Sequence, residues 1–321
     1  MLMNRTLTTL AAVIAASTVL SACGSDSNDS NTAMFSLGVS DAPVDAADEV
    51  WACFHSVELV GNTEGNQTFT IGEDTNTIEA NDACLDADGN VIPNTRGINL
   101  LEFTGSESED LLSGVEVPAG VYGQLRLEMA EGSYVLVGEE RIPLSVPSNE
   151  LKFDSFTLDA GSNVAYTIEF DLRQALVNPV GQAGYFLKPR GVRLVDNMEV
   201  GHIEGTLAEA LLIENQCTVA PTDTSEPVAV VYLYPGADVT LDSMADFGGT
   251  EEAEAYAATP VQFDGATAYN FELGYVAVGN YTAAWTCNTT DDPEVDDELV
   301  FISAQNVSVE AGEAVTTVTI E

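Results

Sequence analysis

Asp291-Asp-Pro-Glu-Val-Asp-Asp-Glu298 places six carboxylates in eight residues, and a hard cation such as calcium takes about six to eight oxygen ligands of this kind. Asp291, Asp292, Glu294, Asp296, Asp297 and Glu298 are therefore the candidate ligands of a calcium site. The competing reading is a solvated acidic loop in an already acidic protein, and the lack of glycine-punctuated ligand spacing favours it. Asp86-Ala-Asp-Gly-Asn90 opens like a calcium loop, but Gly97 stands where the closing glutamate would be needed. It reads instead as a turn held by its Asp and Asn side chains.

Arg126, Lys188, Arg190 and Arg193 could together hold an anion. Pairing with the abundant local carboxylates is the more economical reading. Trp51 and Trp285 could stack on a sugar, yet each alternates with apolar neighbours and is expected in a core. Nucleophilic catalysis needs a well-placed base, and His55 and His202 are the only histidines. Paired carboxylates could cleave glycosides, but among 52 acids no pair is singled out. No catalytic residue is assigned, and the expectation is a protein that is not an enzyme.

Five cysteines divide as one, two and two. Cys23 ends an apolar leader, while Cys53 with Cys84 and Cys217 with Cys287 fall one pair to each half of the remaining chain. Four cysteines allow three connectivities, and division into two domains favours this one. No Cys-x-x-Cys occurs, and a Cys/His zinc site is not expected.

The leader itself has three parts: Arg5 supplies positive charge, Leu7 to Leu20 is mostly apolar, and small residues follow. That run is short for a membrane-spanning helix. Leu20-Ser-Ala-Cys23 then reads as a bacterial lipobox, in which Cys23 is acylated and the chain is cut before it. Residues 1–22 are thus expected as a lipoprotein signal peptide, and the small polar residues 23–33 as a flexible tether. Gly24 lacks the aspartate that resembles an inner-membrane retention signal, so an outer-membrane location is expected, on either face.

The formal charge of −43 excludes nucleic acid as a partner, because phosphate binding draws on Lys and Arg. High external salt, which screens self-repulsion, is a bland explanation of such acidity. The charge is also unevenly placed. Arg126, Arg141, Lys152, Arg173, Lys188, Arg190 and Arg193 fall in one stretch, and residues 201–321 contain no Lys or Arg. That asymmetry is the first sign of two domains.

What must position these residues is β-structure, because alternation of period two dominates and helical periodicity is scarce. Val164, Tyr166, Ile168, Phe170 and Leu172 alternate with Thr167, Glu169 and Asp171, the pattern of a half-buried strand. In Val121 to Met129 the apolar face is read as Val121, Leu125, Leu127 and Met129, opposite Tyr122, Gln124, Arg126 and Glu128. Tyr134–Val137 and Ile142–Val146 flank a hairpin turn. In the second half, Val228 to Tyr234 suits a central strand covered on both faces, and Tyr281, Ala283, Trp285 and Cys287 share one face. A Gly-x-Tyr turn precedes a strand in each half, at Tyr122 and at Tyr281; each tyrosine is expected to pack its ring and bond its hydroxyl to nearby backbone. The expected fold is all-β: two antiparallel β-sandwich domains, immunoglobulin- or transthyretin-like, at 34–198 and 199–321.

Residues 35 to about 195 resemble the bacterial domain-of-unknown-function family 4382. The resemblance rests on Val39-Ser-Asp-Ala-Pro-Val-Asp45, Val50-Trp-Ala-Cys-Phe-His-Ser-Val-Glu-Leu-Val60, Val117-Pro-Ala-Gly-Val-Tyr-Gly-Gln-Leu-Arg-Leu127, Val146-Pro-Ser148 and Phe186-Leu-Lys-Pro189. It implies an exported β-sandwich without an established activity. Residues 201–321 look like transthyretin-type or carboxypeptidase-regulatory-like sandwiches, through Gly201-His-Ile-Glu-Gly-Thr206 and the Gly279-Asn-Tyr281 turn. Cys217, Cys287 and the acidic loop are outside that general pattern. The resulting expectation is a lipid-anchored envelope protein that binds or scaffolds an unidentified envelope partner. The alternatives are a calcium-dependent carbohydrate-binding accessory protein and an envelope hydrolase.

Overall fold

A computed structural model describes residues 31–42, 47–179, 181–297 and 299–321. The signal peptide, Cys23, most of the tether and Glu298 lie outside the described residues. The fold is all-β, with two short helices, Leu172–Ala175 and Glu209–Glu214. The first strand, Thr32–Ala42, takes in the last two residues expected for the tether, and Ala33 is buried.

Strands up to Asp196 form one body. A four-stranded sheet orders Val192–Asp196, Asn163–Asp171, Thr32–Ala42 and Glu109–Pro118. It packs against a second sheet centred on Glu49–Val60 and Gln124–Met129, and Phe35, Leu37, Phe54, Leu59 and Phe170 share their core. The expected hairpin is present, with Val137 paired to Glu140. The run from Val121 to Met129 differs from expectation. Gly120–Tyr122 pairs with Phe156–Leu158, whereas Gln124–Met129 pairs with Glu49–Val60. Alternation therefore changes phase at Gly123, which buries Tyr122 and leaves Val121 61% exposed.

Strands from Val200 onward form a second body, a seven-stranded sheet with Ser303–Val309 at one edge and Ala314–Ile320 at the other. These edge strands are joined by residues 310–313. That linker reaches at most about 17 Å, whereas a flat sheet of this width would span about 29 Å. The sheet must therefore curl back on itself and enclose a core, which contains Val231, Leu233, Phe271, Tyr281, Ala283 and Trp285. Ala229–Pro235 is an interior strand of this sheet, buried on both faces up to Tyr234 as its composition requires.

Most pairs are antiparallel, but each body closes with a parallel one. Thr32–Ala42 runs parallel to Asn163–Asp171, and Val200–Leu207 runs parallel to Ala314–Ile320. In both cases an opening strand lies beside a late one of the same body. Each body also carries one disulfide, Cys53–Cys84 in the first and Cys217–Cys287 in the second.

Candidate functional site

The interior strand Ala229–Pro235 builds the acidic centre from beneath. Ala229, Val231 and Leu233 face the enclosed core. Val230, Tyr232 and Tyr234 face outward and are covered by a second apolar cluster that includes Met244, Phe247 and Phe301. The Tyr232 ring lies 5.5 Å from Phe247 and 5.3 Å from Phe301. The two tyrosine hydroxyls then tack down the covering segments: Tyr234 donates to Ala245 O at 2.7 Å, and Tyr232 donates to Asp291 Oδ2 at 2.6 Å.

This arrangement brings a second loop to the acidic run. Phe247 N donates to Asp291 Oδ2 at 3.2 Å, Asp297 N donates to Asp246 Oδ2 at 2.6 Å, and Asp292 N donates to Asp297 Oδ2 at 2.6 Å. Gly248, at φ +100°, has room only for hydrogen, because a Cβ there would stand 2.5 Å from Val295 O. One carboxylate oxygen from each of Asp246, Asp291 and Asp297 lies within 4.8 Å of the others, and the same holds for Asp246, Glu251 and Asp296. Burial holds the Asp291 carboxyl up at about 6, with donation from Tyr232 opposing the rise. Burial also raises Asp246, and Asp296, Asp297 and Glu251 add their repulsion.

Of the residues proposed from sequence, Asp291, Asp296 and Asp297 thus converge, and Asp246 and Glu251 join them unforeseen. The available signal was Asp246-Phe-Gly-Gly249 followed by a run of glutamates: an acid beside two glycines that allow close backbone approach. Asp292 and Glu294 have other partners. Asp292 Oδ1 accepts from Glu294 N at 3.0 Å, and Glu294 Oε1 meets Lys188 Nζ at 3.5 Å. In the other acidic turn, Asp86 Oδ1 accepts from Asp88 N and Asn90 N at 2.9 and 2.8 Å, as a turn held by its own side chains should.

The four cations of the proposed anion patch have separate partners. Arg126 pairs with Glu58 at 3.2 Å and Glu150 at 3.6 Å, and Lys188 with Glu294. Arg190 Nε donates to Gln174 O at 3.1 Å, and Arg193 Nη1 to Tyr256 O at 3.2 Å. Two of these cross from the first body to the second, and Arg173 makes a third crossing through Nη1 to Thr289 O at 3.3 Å. The half of the chain without Lys or Arg thereby receives cations at the seam.

At that seam the strand Asn163–Asp171 departs from its half-buried reading. Thr167, Glu169 and Asp171 are as buried as the apolar face, because the second body covers them. Arg193 stands opposite Glu169 in the strand register. Desolvation nevertheless pushes Glu169 up to about 8 and Asp171 to about 7, with Arg193 pulling both the other way. Asp41, buried nearby, is raised by desolvation and then by these two acids. A loop contact extends the seam, where Ser106 N donates to Glu272 Oε1 at 2.8 Å and Tyr275 OH donates to Ser106 O at 3.2 Å.

Trp285 is fully buried and donates to Ser303 Oγ at 2.8 Å. Trp51 is only partly buried; it stacks on Tyr134 at 6.1 Å, and Arg141 lies over that ring at 4.3 Å. His55 Nδ1 lies 3.0 Å from Asn94 O, and His202 Nδ1 accepts from Tyr275 N at 3.2 Å. The buried His202 is pushed down in pKa by desolvation.

No curated protein matches the sequence. Among solved structures, a leucine-rich repeat protein from Bacteroides thetaiotaomicron aligns over 90% of this chain at 12% identity and a TM-score of 0.22. A streptococcal ancillary pilin aligns over 91% of the chain at 12% identity and a TM-score of 0.17. The chain spans 26% of the first and 63% of the second, and likenesses this low carry no argument about function. The family comparison is the informative one, and it covers the first body: residues 32–189 match the model of a domain of unknown function, DUF4382.

Proposed function

We propose that this chain is a lipid-anchored protein of the bacterial cell envelope, acylated at Cys23, that serves as a non-enzymatic binding or scaffolding module. The observation that carries the reading is the cysteine account. Four of five cysteines form one disulfide within each body, as suits an oxidising compartment. The odd one, Cys23, ends the apolar leader in Leu-Ser-Ala-Cys. Gly24 directs the anchored protein to the outer membrane. The transthyretin-like character of the second body belongs to the same reading, since such sandwiches serve as binding modules.

Two further observations support a role without catalysis. A backbone amide donates to His202 Nδ1 and a backbone carbonyl faces His55 Nδ1, so one nitrogen of each ring is engaged by backbone. Glu169 and Asp171, the buried acids of the seam beside Arg193, are withdrawn from solvent.

Expression of the full chain with labelled palmitate tests the anchor. Label on the wild-type chain, its recovery in the detergent phase, and loss of both in Cys23→Ala are expected. A mature N-terminus elsewhere than Cys23, or an unlabelled soluble protein, overturns the reading.

A further inference from the structure

We propose that Asp246, Asp291 and Asp297 form a calcium site that clasps the 244–251 segment to the 291–297 segment. The inference is independent of how the chain is anchored. Ligand oxygens around one calcium ion stand about 2.3–2.6 Å from it, so no two can be more than about 5 Å apart. The three carboxylates meet that requirement with oxygens within 4.8 Å of one another.

Proximity of acids alone would not make a site in so acidic a chain. The independent observation is Asp246 itself, which is 6% exposed and whose Oδ1 has no hydrogen-bond partner among the described residues. Asp291 Oδ1 is likewise buried without one. The opposite oxygens are satisfied, by Asp297 N in one case and by Tyr232 and Phe247 in the other. Each acid is therefore held by one oxygen and offers the second. Carboxylate oxygens withdrawn from water without a donor are costly, and a divalent cation would answer both at once.

Local side chains supply no such answer at Asp246. Its charged neighbours are acids, namely Asp296, Asp297 and Glu251. Arg173 acts on the other side of the centre, on Asp291 and Tyr232. Gly249 packs its backbone directly against the same carboxylate, where any Cβ would strike Asp246 Oδ1. The donor set selects the metal. Carboxylate oxygens without Cys or His suit hard cations, and calcium tolerates the irregular geometry that magnesium resists. Glu251 and Asp296, both exposed, flank the site and can complete the oxygen set beside water.

Thermal unfolding of the detergent-solubilised full chain, in calcium, magnesium or chelator, tests the site. Terbium luminescence sensitised through Tyr232 reports occupancy directly. Calcium is expected to raise the melting temperature, with one ion bound per chain and a weaker response to magnesium. Asp246→Asn and the exposed-site Asp297→Asn should each weaken binding at least tenfold and abolish the rise, while Asp86→Asn leaves both unchanged. If Asp246→Asn does not fold, Asp297→Asn carries the test. No calcium response in the wild type, the same response in the Asp297 variant, or an equal response to magnesium overturns the proposal.

Discussion

The two bodies solve closure in the same way and charge in opposite ways. Each opens with a strand that runs parallel to a late strand of its own, and each holds a Gly-x-Tyr turn and a disulfide. Tyr122 OH donates to Pro118 O at 2.8 Å, and Tyr281 OH donates to Ala277 O at 2.7 Å, four residues upstream in both cases. The first body carries nearly all the cations, so its exposed acids find partners such as Arg96 with Glu109 and Arg126 with Glu58. The second has none of its own. Its carboxylates are answered by backbone amides, by Lys188 at Glu294 and by Arg173 beside Asp291, while Arg173 and Arg193 also donate across the seam to the backbone carbonyls of Thr289 and Tyr256. A body built almost entirely of acidic and neutral residues thus satisfies its acids chiefly through backbone amides, with a few cations lent by its neighbour.

The largest effects should come from the disulfides, and they should differ between bodies. The Cys53–Cys84 link spans 31 residues and Cys217–Cys287 spans 70. Chain entropy then assigns about 3.7 kcal/mol to the first and about 4.4 kcal/mol to the second. Denaturant unfolding of the two Cys→Ser double variants should show the greater loss for the Cys217 and Cys287 pair. The reverse order would mean that the second body does not depend on its staple.

Next in size is Arg193, the cation between the buried acids and Tyr256, over whose ring it lies at 4.6 Å. Removing one member of a buried charged group costs about 3–5 kcal/mol, and partial exposure of Arg193 places Arg193→Ala at about 3 kcal/mol or below. The loss should shrink at pH 5, where Glu169 and Asp171 are protonated in the fold. A pH-independent loss would show that Arg193 works by packing alone.

Protonation gives the seam its own signature. Glu169 and Asp171 have folded values near 8 and 7, above their ordinary carboxylate range. The folded state therefore binds more protons than the unfolded chain between about pH 4 and 8, and stability must fall as pH rises through that window. The contribution is fully present below the unfolded values and is gone above the folded ones. Glu169→Gln should flatten the fall between pH 5 and 8, as read by melting temperature at constant ionic strength. An unaltered slope would place the proton uptake elsewhere.

The tyrosine turns come next. Tyr122→Phe and Tyr281→Phe each remove one neutral hydrogen bond and should each cost about 1 kcal/mol. Equal losses would mark the turns as equivalent parts of two bodies, and a loss at only one would break the parallel.

How much of this was legible follows from the range of the forces involved. The strand Ala229–Pro235 and the role of Tyr281 were readable because burial pattern and a turn four residues away are local properties. The phase change at Gly123 was not, since it depends on which strand each half of the run pairs with. Glu169 and Asp171 looked like a solvent face because alternation reports the face of a sheet, not what another body lays over it. For the same reason half of the acidic centre was visible as a dense run at 291–298, while Asp246, about fifty positions earlier, was not: long-range contacts, from the two outward tyrosines and from the backbone amides of Phe247 and Asp297, bring it there.

The smallest effect belongs to the most visible ion pair of the seam. Lys188 and Glu294 meet at 3.5 Å with about a third of each side chain exposed. Solvent screens such a pair, and the entropy of holding two long side chains offsets much of its attraction, so Lys188→Ala should cost about 0.5 kcal/mol or less. Raising salt to about 1 M shortens the screening length to about 3 Å and should erase even that difference between variant and wild type. A larger, salt-resistant loss would show that the second body leans on this borrowed cation as it does on Arg193, and the countercharge would then be spread along the seam instead of concentrated at its buried core.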